Sequence, residues 1–145
     1  MDLSKFLADV DFPLDGPAPD GPVAYQDACH ARLAQGIIDP PRQLLRRIPD
    51  LKLIELADPE LCCGSAGTYN LTHVASGREL GDRKAQEIID SGAVTVVTAN
   101  PGCLLQVQAS LKRLGASIPV LHLAEVLRAA STRPIEAVPP AKSGS

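Results

Sequence analysis

Residues 93–99 read Ala-Val-Thr-Val-Val-Thr-Ala, a run rich in β-branched side chains with almost no polar group. A run of this length and composition, which begins after Gly92 and ends at a turn, predicts a fully buried β-strand. Three other short runs are also apolar or β-branched, and we predict strands over residues 23–26, 51–56 and 119–123. The chain therefore has four predicted strands, of which the one at 93–99 is the best defined.

Helical patterns separate these strands. Apolar residues recur at helical spacing over 39–48, 76–91, 103–114 and 124–130, and a short amphipathic helix is expected at 3–10. Strands that alternate with helices favour a parallel sheet with right-handed crossovers. The sequence thus predicts an α/β fold with a four-stranded, mainly parallel sheet and helices on both of its faces.

Local signals predict where these helices begin and end. Asp39, which two prolines follow, has the properties of an N-cap, and the sequence at 76–79, Ser-Gly-Arg-Glu, matches a capping box. Gly92 and Gly115 are expected to stop the helices before them. The helix that follows Asn100 is predicted to bury one apolar face, which consists of Leu104, Val107, Leu111 and Leu114.

Composition and charge restrict the partners. A formal net charge of −3 gives no general affinity for polyanions, and 3% aromatic residues without Trp argue against a nucleic-acid surface that stacks bases. Arg42, Arg46 and Arg47 are expected on the solvated outer face of their helix, with a docking patch for an acidic partner as the alternative. No apolar run approaches the length of a membrane span and no secretory signal is recognised, so we expect a cytoplasmic protein.

Proline and glycine content divides the chain. Residues 1–22 are expected to be an N-terminal helix and a Pro/Gly-rich lead-in, since four prolines lie between positions 11 and 22. Residues 23–130 are expected to form one domain that is long enough to bury its own core. The proline-containing tail, 131–145, is expected to be disordered.

All four cysteines follow predicted strands. Cys29 comes after the first strand, the adjacent pair Cys62 and Cys63 after the second, and Cys103 after the third. Because the carboxyl ends of parallel strands meet at one edge of a sheet, we expect the four thiols to converge there. In a reducing cytoplasm, such cysteines indicate a metal site or redox chemistry rather than a disulfide framework.

Residues next to the cysteines are suited to support such a site. Gly64 and Gly67 allow the backbone to approach a bound group and to direct N–H groups toward it. Cys103 falls in the first turn of a helix, where the positive end of the helix dipole favours a thiolate. Asn100 is the expected N-cap of that helix, and Gly102 lies between the two.

Two histidines accompany the cysteines. His30 adjoins Cys29 and is expected to pack beside the site rather than to ligate a metal. His122 ends the fourth strand at the same edge of the sheet, where it would hydrogen-bond a bound group, cap the last helix or replace a cysteine as ligand.

The number of thiols leaves the chemistry open. Four thiolates suit tetrahedral zinc and an iron–sulfur cluster equally well. Four buried structural cysteines are a weaker alternative. A redox-active dithiol is also weaker, because the chain has no Cys-x-x-Cys pair.

Three stretches resemble a known family. They are 25–30 (Tyr-Gln-Asp-Ala-Cys-His), 62–70 (Cys-Cys-Gly-Ser-Ala-Gly-Thr-Tyr-Asn) and 100–103 (Asn-Pro-Gly-Cys). Together they resemble the cysteine-rich CCG domain of heterodisulfide reductase subunits, anaerobic glycerol-3-phosphate dehydrogenase, lactate-utilisation proteins and glycolate oxidase. The finer match is to the iron–sulfur subunit of glycolate oxidase (glycolate dehydrogenase), over about residues 20–130.

The resemblance implies an electron-transfer role. In that family a flavin subunit oxidises glycolate to glyoxylate, and the iron–sulfur subunit passes the electrons toward a quinone-type membrane acceptor. It implies that a cluster, [4Fe–4S] in type, is bound by Cys29, Cys62, Cys63 and Cys103, with hydrogen bonds from amides around Gly64, Gly67 and Gly102. The expected partners are the flavin subunit and the rest of the iron–sulfur subunit, and the chain, as a C-terminal domain, is not expected to be catalytic alone.

Two other functions stay open at this point. One is a structural zinc module that holds complex subunits together. The other is a related redox subunit of the lactate-utilisation or heterodisulfide reductase type.

Overall fold

The computed structural model describes residues 3–9, 13–14, 16–27, 36, 38–58 and 74–131. Within these ranges, four strands form one sheet: β1 (Pro22–Gln26), β2 (Lys52–Ile54), β3 (Thr95–Thr98) and β4 (Val120–His122). Every pairing is parallel, and the order across the sheet is β2-β1-β3-β4. The predicted four-stranded parallel sheet is confirmed; β1 begins one residue before its predicted run, and the other three strands are shorter than the runs that predicted them.

Five helices are described around the sheet: α1 (Leu3–Ala8), α2 (Asp39–Arg46), α3 (Val74–Asp90), α4 (Pro101–Arg113) and α5 (Leu123–Ala130). On one face, side chains of α1, α2 and α5 pack against Val23, Tyr25 and Val97. On the other face, α3 and α4 pack against Ala24 and Val96. Helices thus cover both faces, as predicted. None of the helices in the described ranges is long and apolar enough to cross a bilayer.

The register aligns the carboxyl ends of the strands. Gln26 at the end of β1 pairs with Thr98 at the end of β3, and Thr98 pairs with His122 at the end of β4. β2 ends at Ile54, which pairs with Ala24. These four ends form one edge of the sheet, which we call the carboxyl edge.

The stops predicted at two glycines are confirmed, because Gly92 and Gly115 adopt positive φ angles of 78° and 74° after α3 and α4. The lead-in before β1 contributes to the core through the buried Leu14. The main-chain N–H of Gly16 donates to the carbonyl of Ala130 at 2.7 Å, which joins this segment to the end of α5.

Two predicted helix starts are wrong. Asp39 is the first residue of α2 rather than its cap, and Ile38 occupies the cap position without a side-chain hydrogen bond. An N-cap side chain normally accepts from the second or third helical N–H, but Pro40 and Pro41 at these positions have none, so no cap is required. α3 begins at Val74, two residues before the capping-box pattern at 76–79, because a Ser-x-x-Glu pattern does not stop a helix that the preceding residues can extend.

Two predicted side-chain positions are also wrong. Leu114 is 40% exposed, because α4 ends at Arg113 and the next residue leaves its buried face. Arg42 was expected in solvent with Arg46, but it is buried, because its guanidinium donates to two carboxylates at the carboxyl edge. Arg46 is exposed, as predicted.

Candidate metal centre

The sheet order makes neighbours of the three strands that precede the cysteines in the sequence. β2, β1 and β3 are adjacent, and strands in a sheet lie about 4.8 Å apart. Cys29 follows the end of β1 by three residues, which limits its Cα to within ~11 Å of that of Gln26. Cys103 follows the end of β3 by five residues. The strand ends at which the cysteines are predicted to converge are therefore adjacent. Cys29, Cys62 and Cys63 lie outside the described residues, as do His30, Gly64 and Gly67.

Cys103 is the candidate ligand that the described residues include. It lies in the first turn of α4, is 4% exposed and packs in the core layer with Ala24, Val96 and Val107. A thiol in this position lies at the positive end of the dipole of a 13-residue helix.

Asn100 caps that helix, as predicted. Its backbone is extended (φ −118°, ψ 121°), and its side-chain Oδ1 accepts from the main-chain N–H of Cys103 at 3.1 Å. The main-chain N–H of Asn100 in turn donates to Oγ1 of the buried Thr98 at 3.4 Å. The turn that presents Cys103 is thus fixed to the end of β3, and Gly102 within it is exposed.

His122 also caps a helix, one of the roles that the sequence allowed. Its Nδ1 accepts from the main-chain N–H of Ala124 at 3.0 Å, which caps α5. Its Nε2 lies 3.1 Å from the carbonyl of Ala99, and because Nδ1 is an acceptor, Nε2 carries the proton and donates. Both ring nitrogens therefore bind main-chain groups. His122 ties the turn before Asn100 to α5.

Gln26 is a residue that the sequence analysis missed. It is fully buried at the end of the central strand β1, on the same face as Ala24 and Cys103. Its Nε2 donates to the carbonyl of Asp27 at 3.0 Å, but its Oε1 has no hydrogen-bond partner among the described residues. Buried polar groups are normally hydrogen-bonded, so Oε1 of Gln26 marks this strand end, three residues before Cys29, as a candidate position for a bound group or a further hydrogen bond. Gln26 belongs to the stretch at 25–30 that resembles the CCG family, but the sequence gave no indication of its burial or of a role for its side chain.

A buried ion cluster lies on the opposite face of the same edge. The guanidinium of Arg42 makes two hydrogen bonds to the carboxylate of Asp27, at 2.9 and 2.7 Å, and two to that of Glu55, at 2.8 and 3.0 Å. Asp27 directly follows β1 and Glu55 directly follows β2. These contacts hold the pKa of Arg42 above its ordinary value, with the hydrogen bond to Asp27 as the largest cause.

A second buried cation fixes the start of the segment that carries the double cysteine. Lys84 of α3 is fully buried, and its Nζ donates to the carbonyl of Asp58 at 2.8 Å and to Glu87 at 3.0 Å. The main-chain N–H of Asp58 donates to the same Glu87 carboxylate. Cys62 is four residues beyond Asp58, a reach of at most ~14 Å.

The donor chemistry fits a soft, thiolate-bound group. Within the described ranges, no group of three or more His, Cys, Asp or Glu side chains is arranged to hold a metal ion. The carboxylates at the edge are engaged with Arg42, and the ring nitrogens of His122 are engaged with the main chain. The four cysteines remain the predicted ligands, and thiolates suit zinc or an iron–sulfur cluster.

Comparison with known proteins identifies the family of this chain. The CCG family of cysteine-rich domains matches residues 23–108, more than half of the chain. The chain is 38% identical over 130 residues to the "Probable glycolate oxidase iron-sulfur subunit" of Bacillus subtilis (strain 168), an alignment that covers 87% of this chain and 29% of the relative.

Other relatives carry a different name. The chain is 34% identical over 127 residues to "Lactate utilization protein A" of Bacillus pumilus (strain SAFR-032), covering 87% of this chain and 53% of the relative. It is also 34% identical over 129 residues to the protein of the same name from Geobacillus kaustophilus (strain HTA426), an alignment that covers 88% of this chain and 54% of that relative. The chain thus spans between about a third and a half of the length of these relatives. With the match over residues 23–108, the parallel α/β sheet and the cysteines that follow its strands, the chain belongs to the CCG family of cysteine-rich domains.

Proposed function

We propose that this chain is the iron–sulfur electron-transfer domain of a glycolate (2-hydroxyacid) dehydrogenase complex. The observation that carries the proposal is the sheet order β2-β1-β3, which makes the three strands before the cysteines neighbours. The relative named as a probable glycolate oxidase iron-sulfur subunit supports the same cofactor class.

The proposed ligands are Cys29, Cys62, Cys63 and Cys103, and the proposed group is a [4Fe–4S] cluster. When bound, such a cluster accepts and releases single electrons at a potential that its ligands and hydrogen bonds set. The capped first turn of α4 favours the thiolate of Cys103, because the cap fixes the turn and the helix dipole opposes the accumulated negative charge.

The other predicted site residues would support the cluster rather than ligate it. Amides near the glycines would donate to cluster sulfurs, and Asn100 and His122 would hold the backbone that presents Cys103. The proposed supporting residues are Gly64, Gly67, Gly102, His30, His122 and Asn100.

The proposed route carries electrons from a flavin-containing dehydrogenase subunit toward a quinone-type acceptor. The chain would bind that subunit and the rest of the iron–sulfur subunit, and it would not oxidise the 2-hydroxyacid by itself. We place it in the cytoplasm, on the inner membrane face through the complex. We also propose that residues 23–130 form the functional domain, preceded by the lead-in at 1–22 and followed by the tail at 131–145.

A lactate-utilisation subunit is the second candidate. It is favoured by relatives named lactate utilization protein A, of which the chain covers a larger share, 53% and 54%, than of the glycolate oxidase relative. Both candidates require the same electron-transfer centre. They differ in the flavin subunit that would donate the electrons, so partner capture from the source cells distinguishes them.

Redox titration tests the shared proposal. The full chain is reconstituted anaerobically with iron and sulfide, reduced with dithionite and then exposed to a soluble quinone. We expect a brown chromophore that bleaches on reduction, gives an electron paramagnetic resonance signal and recovers with the quinone. A chromophore that does not bleach would contradict the proposal, and a colourless protein that holds one zinc would contradict it and favour a structural zinc module.

A further inference from the structure

The guanidinium of Arg42 joins the carboxyl ends of two neighbouring strands. Its Nη1 and Nη2 donate to the carboxylate of Asp27, which follows β1, and its Nε and Nη2 donate to the carboxylate of Glu55, which follows β2. Nη1 also donates to the carbonyl of Ile38 at 2.8 Å, just before α2. A guanidinium has five N–H donors in a rigid fork, and these contacts use all five.

Burial makes this arrangement costly to replace. The side chain of Arg42 is 5% exposed and that of Asp27 is 2% exposed, whereas that of Glu55 is 50% exposed. A buried charge is tolerated when it is paired and fully hydrogen-bonded, and the ring of Tyr25, 5.3 Å from the guanidinium carbon, adds a cation–π contact.

The two strand ends lead to three of the four cysteines. Cys29 is two residues beyond Asp27, and Cys62 and Cys63 are seven and eight residues beyond Glu55. The strands β1 and β2 are paired only up to Ala24 and Ile54, so the ladder does not reach Asp27. Beyond the ladder, Arg42 is the described side chain that fixes one strand end relative to the other.

We propose that Arg42 is a positioning residue of the cysteine site: its fork between Asp27 and Glu55 sets the relative position of the segments that carry Cys29 and the Cys62-Cys63 pair. This inference rests on the proposed function, because the group that the segments hold is the proposed cluster. The proposed role does not require Arg42 to contact a thiol or the cluster. Arg42 would act by fixing Asp27 and Glu55, from which the chain continues toward these cysteines.

Two substitutions separate positioning from stability. Arg42→Lys keeps the positive charge but loses the fork. Glu55→Ala removes the half-exposed contact at β2 and leaves the buried pair with Asp27 intact, so it is expected to fold even where Arg42→Lys does not. The matched control is Asp82→Ala, which removes another partly exposed carboxylate, 39% exposed, from its pair with Arg113.

Iron retention is the measurement. The full chain and each variant are reconstituted with iron and sulfide under anaerobic conditions, and iron release to a chelator is followed alongside the melting temperature and the paramagnetic spectrum. Because supporting residues of metal sites typically change affinity about 10- to 100-fold, we expect Glu55→Ala and Arg42→Lys to release iron at least about tenfold faster. Asp82→Ala should retain the parent rate and spectrum.

Each outcome decides the inference. Parent-like release and spectra in both Glu55→Ala and Arg42→Lys would overturn the role of Arg42 and leave the proposed function intact. Equally fast iron release from Asp82→Ala would also overturn the role of Arg42, since the faster release would then reflect a general loss of stability. If the parent chain takes up no iron and sulfide, the proposed function fails and this inference fails with it.

Discussion

The side-chain Oδ1 of Asn100 accepts the main-chain N–H of Cys103 at 3.1 Å. One hydrogen bond thus begins α4 and orients the turn that carries a candidate ligand. The main-chain N–H of Asn100 donates to Thr98 at the end of β3, so the cap is anchored to the sheet. Helix formation and presentation of the thiol therefore depend on the same residue.

Asn100→Ala removes this cap. The loss leaves the N–H of Cys103 without its partner, and we expect unfolding of the metal-free chain to become easier by ~1 kcal/mol. Asn100→Asp retains an acceptor next to a helix N-terminus and is expected to keep most of that stability. Urea unfolding at neutral pH measures both variants, and a stability of Asn100→Ala equal to that of the parent would contradict the capping role.

Gln26→Met removes the side-chain amide of a fully buried residue at the end of β1. Because the parent buries an acceptor without a partner among the described residues, we expect the metal-free variant to be as stable as the parent or more stable. We also expect weaker iron retention, since stability alone does not explain a glutamine at this position. Thermal unfolding and iron release check the two parts, and a variant that unfolds more easily and retains iron like the parent would contradict this explanation.

Lys84→Met leaves the carbonyl of Asp58 and the carboxylate of Glu87 without their buried donor. Leaving such groups unsatisfied typically costs ~1–3 kcal/mol, and we expect urea unfolding to show a loss in this range. Lys112→Met on α4 is the control, because Lys112 is exposed and its substitution should change stability little. Similar losses of stability in the two variants would contradict a specific stabilising role for the buried contacts of Lys84.

Arg42→Met leaves Asp27 as a buried charge without its cation. Breaking a buried ion pair on one side typically costs ~3–5 kcal/mol, so we expect a large loss of stability in urea at pH 7. The double variant Arg42→Met with Asp27→Leu removes both charges and is expected to recover much of that loss. Equal stability of the single and double variants would contradict a buried, coupled pair.

The pH dependence of this contribution follows from the raised pKa of Arg42. A raised pKa in the folded state means that the stabilisation is fully present below the ordinary arginine pKa and is lost only as pH rises through the folded value. Since the ordinary pKa of arginine already lies well above pH 10, the contribution of Arg42 to stability should not decrease between pH 7 and pH 10. Urea unfolding of the parent and of Arg42→Met at both pH values measures this contribution as the difference in their free energies of unfolding. A difference that shrinks toward pH 10 would contradict the raised pKa.

The features that the sequence predicted well are local ones. The strand β3 follows from its β-branched run, and the cap at Asn100 follows from its position before Pro101. The parallel sheet follows from the alternation of strands with helices. The strand ends that precede the cysteines lie at one edge as a direct consequence of that topology.

The features that it missed depend on contacts between distant residues. Arg42 and Arg46 are one helical turn apart and look alike in the sequence, yet Arg42 alone of the two reaches Asp27, fifteen positions earlier in the chain. The buried Lys84 donates to the carbonyl of Asp58, twenty-six positions earlier in the chain. A local pattern cannot show which cation meets a buried partner, so both residues could be placed only by the folded chain.

The content of iron, sulfide and zinc after anaerobic purification tests the central claim most directly, with Cys63→Ser and the surface variant Lys112→Met measured beside the parent. We expect stoichiometric iron and sulfide in the parent and in Lys112→Met, and their loss in Cys63→Ser. One zinc per chain without sulfide, or neither metal even after anaerobic reconstitution, would contradict the claim that these cysteines bind an iron–sulfur cluster.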